Sequence, residues 1–316
     1  MAVITAKRQP YKYPTIQSDP IIQTYHGVKV ADDYRWVESV DDSRVQDWIE
    51  KQNAFTHNEM KKANAKCNSA LAIDKYSYAD YDYLVKKGNY YFQYAFYHRT
   101  GVPALFYQRA LKSEPEILVD PNFISDKDNV LIKNYSVSKN SEFLAFIFER
   151  NGSDWGEIKV VNLNSTKMLP DHLTNIKFSN IAWKDDGFYY SRYPEHRFAA
   201  TVGQEIYYHK LGTTQQDDKL IFKRANRPQI SFTAKTTSDE RFFILHEWDD
   251  SAKISNIFYI DFASSTPSLR PLITKLAGGE SLNIIDNIGD ELIATTIKES
   301  NNGMVIKFTP LEPRKW

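Results

Sequence analysis

From Tyr90 to Phe308 apolar and polar residues alternate in short runs, the period-two pattern of strands, and the runs recur along the chain. One set reads Tyr90–Tyr94, Phe143–Ile147, Phe188–Ser191, Phe242–Leu245 and Leu292–Thr295. A second set follows at a near-constant offset, at Ala104–Tyr107, Ile158–Val161, Ile206–His209, Ile257–Ile260 and Val305–Phe308. Successive units are spaced by roughly 45 to 54 residues, close to the about 40 to 50 residues of a four-stranded propeller blade. A turn precedes the first set in every unit: Lys86-Lys-Gly-Asn89, Ser138-Lys-Asn-Ser141, Lys184-Asp-Asp-Gly187, Ser238-Asp-Glu240 and Ile288-Gly-Asp290. These residues bond locally or tolerate left-handed backbone. Fourth strands are expected at Glu116–Val119, Lys167–Leu169, Lys219–Phe222 and Leu269–Leu272, and the fifth unit has none before Trp316. The fold expectation is mainly β: a partial propeller with blades near 76–120, 131–170, 178–223, 231–273 and 282–316. Its last blade would leave an open edge of unpaired N–H and C=O groups, so the sequence reads as interrupted.

The first 73 residues follow a different pattern. Asp42 or Ser43 is placed to cap a helix that carries Val45, Trp48, Ile49, Phe55 and Met60 along one stripe, with Arg44, Asp47, Glu50 and Lys51 on the other faces. No strand repeat is expected in this segment. A linker near Asn68–Asp74 separates it from the aromatic, alternating region that includes Tyr81, Tyr83 and Val85.

Bulk composition narrows the function classes. With 40 basic and 40 acidic side chains the formal charge is zero, so no whole-protein field favours nucleic acid or an anionic membrane. The 20 Tyr and 18 Phe lack an interleaved basic stripe, and strand packing accounts for them better than base stacking. A single cysteine, Cys67, excludes an intrachain disulfide framework. The start Met1-Ala-Val-Ile-Thr-Ala-Lys-Arg8 lacks the apolar run of a signal peptide, and no apolar run reaches spanning length. A cytoplasmic location is the expectation.

Candidate chemistry is sparse. A serine hydrolase elbow needs Gly-x-Ser-x-Gly, and the nearest string, Gly152-Ser-Asp-Trp-Gly156, misplaces the serine by one position within a blade hairpin, where a turn role is expected. The seven histidines, His26, His57, His98, His172, His196, His209 and His246, show no metal-ligand spacing. His209 and His246, on or beside strands, are expected to be satisfied structural residues. Asp185-Asp186 and Asp249-Asp250 sit at turns, where solvation explains them. No glycine-rich loop precedes a helix, and no cofactor or metal is expected.

The block Tyr25-His-Gly-Val-Lys-Val-Ala-Asp-Asp-Tyr34-Arg-Trp36-Val-Glu38 resembles the opening of the prolyl oligopeptidase (prolyl endopeptidase) family of serine peptidases. The likeness continues in order through Leu118-Val-Asp-Pro-Asn122, Gly152-Ser-Asp-Trp155, Lys177-Phe-Ser-Asn-Ile-Ala-Trp183, Tyr207-Tyr-His-Lys-Leu-Gly212 and Val305–Trp316. Asp33 stands where the family usually has proline, and the loop from Tyr193 to Gly203 is shorter than in animal members. The resemblance implies a cytoplasmic endopeptidase that cleaves short peptides after proline, with a seven-bladed propeller inserted into an α/β-hydrolase domain and gating its access. On that plan residues 1–73 are the N-terminal segment of the hydrolase domain and 74–316 a partial propeller, while the Ser/Asp/His triad lies outside this chain. The chain alone is then expected to be inactive, its partners being proline-containing peptides and a C-terminal hydrolase domain, with neither nucleic acid nor membrane involved. By the same resemblance Phe178 matches a propeller residue that gives an apolar contact to bound peptide, although plain sheet packing also accounts for it. Ile221 stands where animal members carry a reactive cysteine, so thiol sensitivity is not expected there; it is the second candidate contact. Two other readings stay open: a non-catalytic interaction module, and a truncated product without independent function.

Overall fold

The computed structural model describes residues 11–39, 42–64, 83–96, 102–193, 203–226, 229–277, 280–298 and 302–315. They fall into two compact units, divided near residue 78. Cys67, Tyr81, His98, His196, the linker at 68–74 and most of the 193–203 loop lie outside the described residues.

The first unit contains β1 (Ile21–Tyr25), β2 (Val28–Asp32) and α1 (Ser43–Asn64). Asp42 caps α1, its Oδ1 accepting from Arg44 N at 2.9 Å. Along the expected stripe Val45 is buried, Trp48, Ile49 and Phe55 are half-buried, and Met60 is exposed. Phe55 meets Tyr13 at 5.3 Å and Tyr11 at 6.2 Å between ring centroids, so the extended segment before β1 supplies part of the stripe's partner surface. The β1–β2 hairpin adds one pair of strands to a segment for which a helix and no strand repeat were expected. Its apolar positions Ile21, Ile22, Val28 and Val30 are exposed, and the hairpin is closed by His26 and Gly27, both with positive φ.

The second unit is a run of five antiparallel blades in chain order, of which blades 2 and 3 are joined into one eight-stranded sheet by the pairing of Ile176 with Arg192. Blade 1 is β3 (Val85–Lys87), β4 (Tyr90–Ala95), β5 (Ala104–Gln108) and β6 (Glu116–Val119). Blade 2 is β7 (Val130–Val137), β8 (Phe143–Arg150), β9 (Gly156–Asn162) and β10 (Lys167–Ile176). Blade 3 is β11 (Ala182–Lys184), β12 (Gly187–Arg192), β13 (Glu205–Lys210) and β14 (Lys219–Lys223). Blade 4 is β15 (Ser231–Thr236), β16 (Phe242–Asp249), β17 (Ile254–Asp261) and β18 (Arg270–Ala277). Blade 5 has three strands among the described residues, β19 (Leu282–Ile288), β20 (Glu291–Thr296) and β21 (Met304–Phe308).

Period-two alternation explains why the sheets stack side by side. On β8, Leu144, Phe146 and Phe148 join the apolar cluster shared with blade 1, while Ala145 and Ile147 join the one shared with blade 3. On β16, Phe243 and Leu245 pack toward blade 3, and Phe242 and Ile244 toward blade 5. Central strands buried on both faces therefore read as continuous apolar runs. Removing one such ring, Phe146 for example, costs about 3–5 kcal/mol. The fourth strand of blade 2 runs past its expected end at Leu169 to Ile176, with register shifts between Met168 and His172 and again before Ile176. Pro170 lies inside the first shift, where its missing N–H breaks the ladder.

Candidate functional site

Each blade turns from its first to its second strand through one left-handed residue: Gly88, Ser141, Asp185, Glu240 and Gly289, at φ of 56°, 60°, 53°, 59° and 58°. Glycine is required at the first of these by crowding as well, since a Cβ on Gly88 would lie 2.0 Å from Ser141 Oγ. Hydrogen bonds join the turns of different blades. Asn89 N donates to Ser141 Oγ at 3.1 Å, and Asp185 N to Glu240 Oε2 at 3.1 Å. Ser238 donates from N and Oγ to the Asp286 carboxylate at 2.8 and 2.5 Å, and Asn287 Nδ2 donates to Asp239 Oδ2 at 2.9 Å. Lys139 Nζ reaches past blade 3, from blade 2 to the carbonyl of Asp239 in blade 4, at 2.8 Å.

Beside this ring of turns the innermost strands of blades 1 to 4 wall a common axial cavity of about 560 Å³. Those strands pair on one side only, so each keeps a free backbone edge. Lys87, Lys139 and Lys235 border the cavity, and Glu240 is the one acidic side chain among its described lining residues. Burial holds the Lys235 ammonium below the ordinary lysine range, against the opposing pull of Asp286. Its hydrogen-bond partner is the neutral Asn283 Oδ1 at 3.4 Å.

Phe178 lies in the loop between β10 and β11, 65% exposed and at φ 51°. A bulky side chain in that region costs on the order of 1–3 kcal/mol unless its surroundings fix it. The fixing groups sit behind it. Ser191 N donates to Ser179 Oγ at 2.8 Å, Gln204 Nε2 donates to Ser191 Oγ at 2.8 Å, and Phe232 N donates to Gln204 Oε1 at 2.6 Å. Lys177 Nζ lies 5.3 Å from the Phe178 ring centroid, 5.2 Å from that of Trp155 and 3.7 Å from Asp154 Oδ2. Trp155 in turn meets Tyr193 edge-on at 5.7 Å. Phe178 is thus an aromatic face presented outward from a polar lock. Ile221 is placed differently, half-buried on the outermost strand β14 and packed into the apolar cluster between blades 3 and 4. The two candidates sit at opposite edges of one blade.

The histidines take several roles. His26 forms part of the β1–β2 turn and His57 is exposed on α1. Half-exposed His172 contacts Glu157 at 2.5 Å. His209 is fully buried, with Nδ1 2.7 Å from Asp218 Oδ1 and Nε2 3.0 Å from Asp171 Oδ1. Burial alone would depress its pKa, but the two carboxylates outweigh burial and raise it to about 9. Tyr190 donates to the other Asp218 oxygen at 2.6 Å, and Gly212 N to Asp171 Oδ1 at 2.7 Å. His246 corrects the expectation of a satisfied residue: its Nε2 is buried without a partner among the described residues. Burial, with Lys235 adding to it, lowers its pKa to about 4. Ser153 is a turn residue whose Oγ accepts from Trp155 N at 3.2 Å. No group of three or more metal-ligating side chains occurs among the described residues, and none of their helices is long and apolar enough to cross a membrane.

The family model of the prolyl oligopeptidase N-terminal β-propeller domain matches residues 13–316. The chain belongs to the prolyl oligopeptidase family. It is 29% identical over 326 residues to the prolyl endopeptidase of Elizabethkingia miricola, covering 99% of this chain and 45% of that protein. It is 26% identical to prolyl oligopeptidase A of Amanita bisporigera, covering 96% of this chain and again 45% of the relative. Among solved structures, prolyl oligopeptidase B from Galerina marginata bound to a 35mer hydrolysis and macrocyclization substrate superposes with a TM-score of 0.74 at 22% identity, over 96% of this chain and 46% of that one. The chain therefore spans slightly less than half the length of these relatives, and the match to prolyl oligopeptidase B carries the propeller fold. Residue patterns did not point to the axial lysines, because they come from the end of one strand, a turn and the interior of another strand. The polar lock behind Phe178 was equally hidden, being assembled from loops and strands of two blades.

Proposed function

We propose that this chain forms the substrate-filtering propeller, together with the N-terminal segment of the hydrolase domain, of a cytoplasmic serine endopeptidase that cleaves short peptides after proline. The observation that carries the reading is the axial cavity: its walls are strand edges cross-tied by hydrogen bonds between turns of successive blades, which resist widening to admit a folded protein. Phe178 offers its exposed ring to an apolar residue of a bound peptide, and the hydrogen bonds behind it fix that ring in place before binding. Ile221 would contribute a second apolar contact through the surface it keeps exposed. The peptidase chemistry belongs to a C-terminal hydrolase domain that acts with this propeller.

The test uses the endogenous protein, captured with an antibody against the propeller. It is assayed on a fluorogenic peptide with proline at the scissile position and on the same sequence embedded in a folded protein, with and without a serine-directed phosphonofluoridate. The expected result is inhibitor-sensitive cleavage after proline in the peptide and none in the folded protein. Absence of cleavage after proline, or equal cleavage of both substrates, removes the reading. In the active protein Phe178→Ala should raise KM severalfold with a smaller effect on kcat.

A further inference from the structure

We infer that the axial cavity is a binding site for the carboxylate-bearing end of an extended peptide, with Lys87, Lys139 and Lys235 as its recognition groups. The inference deepens the filtering role proposed above and rests on peptides reaching the cavity.

Charge pairing around the ring of turns is the first observation. Lys184 pairs with Asp185, Lys210 with Asp186, and Arg241 with both Asp261 and Asp290. The three cavity lysines form no ion pair with a carboxylate among the described residues, although they share the same end of the propeller. Lys139 is held by a backbone carbonyl and Lys235 by a neutral amide. The nearby carboxylates are occupied elsewhere: Asp286 by Ser238, Asp239 by Thr237, Asn287 and the Arg241 amide, and Glu240 by the Asp185 amide. Lys235 is the half-buried member, and an ammonium withdrawn from water without a counter-charge is costly, a cost an incoming carboxylate relieves. Lys87 and Lys139 are exposed and add two cations, unpaired among the described residues, at the cavity's border.

Shape is the second observation. A volume of about 560 Å³ is in the range of small-ligand sites, about 300–1,000 Å³, and suits a few residues of extended chain. The free edges of the inner strands offer backbone donors and acceptors in the register of an added strand. Asn134, Ser136, Asn180 and Thr237 supply short polar side chains along the same walls. An extended backbone flanked by hydrogen-bonding edges, ending among three cations, is the occupant that matches both observations.

The experiment measures binding to the purified 316-residue chain and needs no hydrolysis, so its result stands whether or not cleavage after proline is found. A dansylated Gly-Pro-Gly-Glu-Glu peptide with a free C-terminus is titrated by fluorescence anisotropy at low salt, beside the Gly-Pro-Gly-Gln-Gln amide. The acidic peptide should bind at least tenfold more tightly. Lys139→Met, on an exposed turn, and Lys235→Met should each weaken it at least threefold while leaving the neutral peptide unchanged, with thermal unfolding confirming that both variants are folded. Equal affinity for the two peptides, no binding of either, or an acidic preference that survives the triple replacement of Lys87, Lys139 and Lys235 by Met would overturn the assignment.

Discussion

His209 and His246 lie on central strands of adjacent blades, each beside bulky apolar residues, yet at neutral pH one is a cation and the other is neutral. His209, on β13, is flanked by Asp171 from β10 and Asp218 from the segment before β14, and stays protonated up to about pH 9. His246, on β16, lies opposite Thr233 and diagonal to Lys235, has no partner for Nε2 among the described residues and resists protonation down to about pH 4. Burial acts in the same direction on both. The deciding difference is whether a neighbouring strand or loop supplies carboxylates, so the charge of a buried group is a property of the tertiary arrangement.

The strongest way to break this comparison is to remove the cation that blade 3 encloses. His209→Leu leaves Asp171 and Asp218 facing one another in a buried space, where neither can ionise without cost. Chemical unfolding should show a loss of about 3–5 kcal/mol, as expected for a buried ion pair that has lost one partner. A loss below about 1 kcal/mol would mean that packing, rather than charge, holds the junction of blades 2 and 3.

The pH dependence sharpens the same contrast because the two groups act on opposite limbs. His209 has a raised pKa, so its contribution is complete below its unfolded value near 6.5 and is lost as pH climbs to about 9. His246 has a lowered pKa, so its neutral form contributes fully above about 6.5, and stability falls as pH drops toward about 4 because the unfolded chain takes up the proton first. A series of urea unfolding curves should therefore peak between the two limbs, each limb on the order of 1–3 kcal/mol deep. His209→Leu should flatten the alkaline limb alone. Loss of the same limb in His209→Leu and in His246→Leu would show that the two sites are not independent.

Replacing His246 should be far gentler. His246→Leu removes a buried acceptor or donor that has no partner, a change expected to be neutral or stabilising by up to about 1 kcal/mol. The same substitution should abolish the acidic limb of the pH profile. A loss above about 2 kcal/mol would point to a hydrogen bond at this ring that the structure does not contain.

Much of the propeller was legible because its middle strands are buried on both faces. Runs such as Phe143–Ile147 and Phe242–Leu245 can hardly be anything but interior strands, and the turn residues between units marked their starts. The innermost strands were only coarsely legible, through the expected blade starts near 131, 231 and 282, which fall at the beginnings of β7, β15 and β19. β3 and β11 have three residues each, and β7 follows its buried Val130 and Ile132 with Lys133, Asn134 and Ser136, so the apolar alternation is too short to stand out. The β1–β2 hairpin escaped for a related reason: its residues are exposed on both faces apart from partly covered Asp32, so burial imposed no alternation on it. Phe178 was reached through family resemblance, whereas its left-handed backbone and the Ser191–Gln204 lock depend on contacts between segments far apart in sequence. His209 and His246 were read alike from their strands, and only the partners separate them.

The smallest effect tests the coupling between Lys235 and His246, the one charge that acts on His246 besides burial. Lys235→Met removes that repulsion, so the His246 pKa should rise while remaining well below its ordinary value, since burial is the larger cause. Proton–carbon NMR titration of the ring resolves such a shift. A return to near 6.5 would make Lys235 the dominant cause and would reverse the ranking of charge and burial at this site. An unchanged value would place the Lys235 ammonium out toward the cavity and away from the ring, leaving it free to meet an anionic peptide without passing any signal to His246.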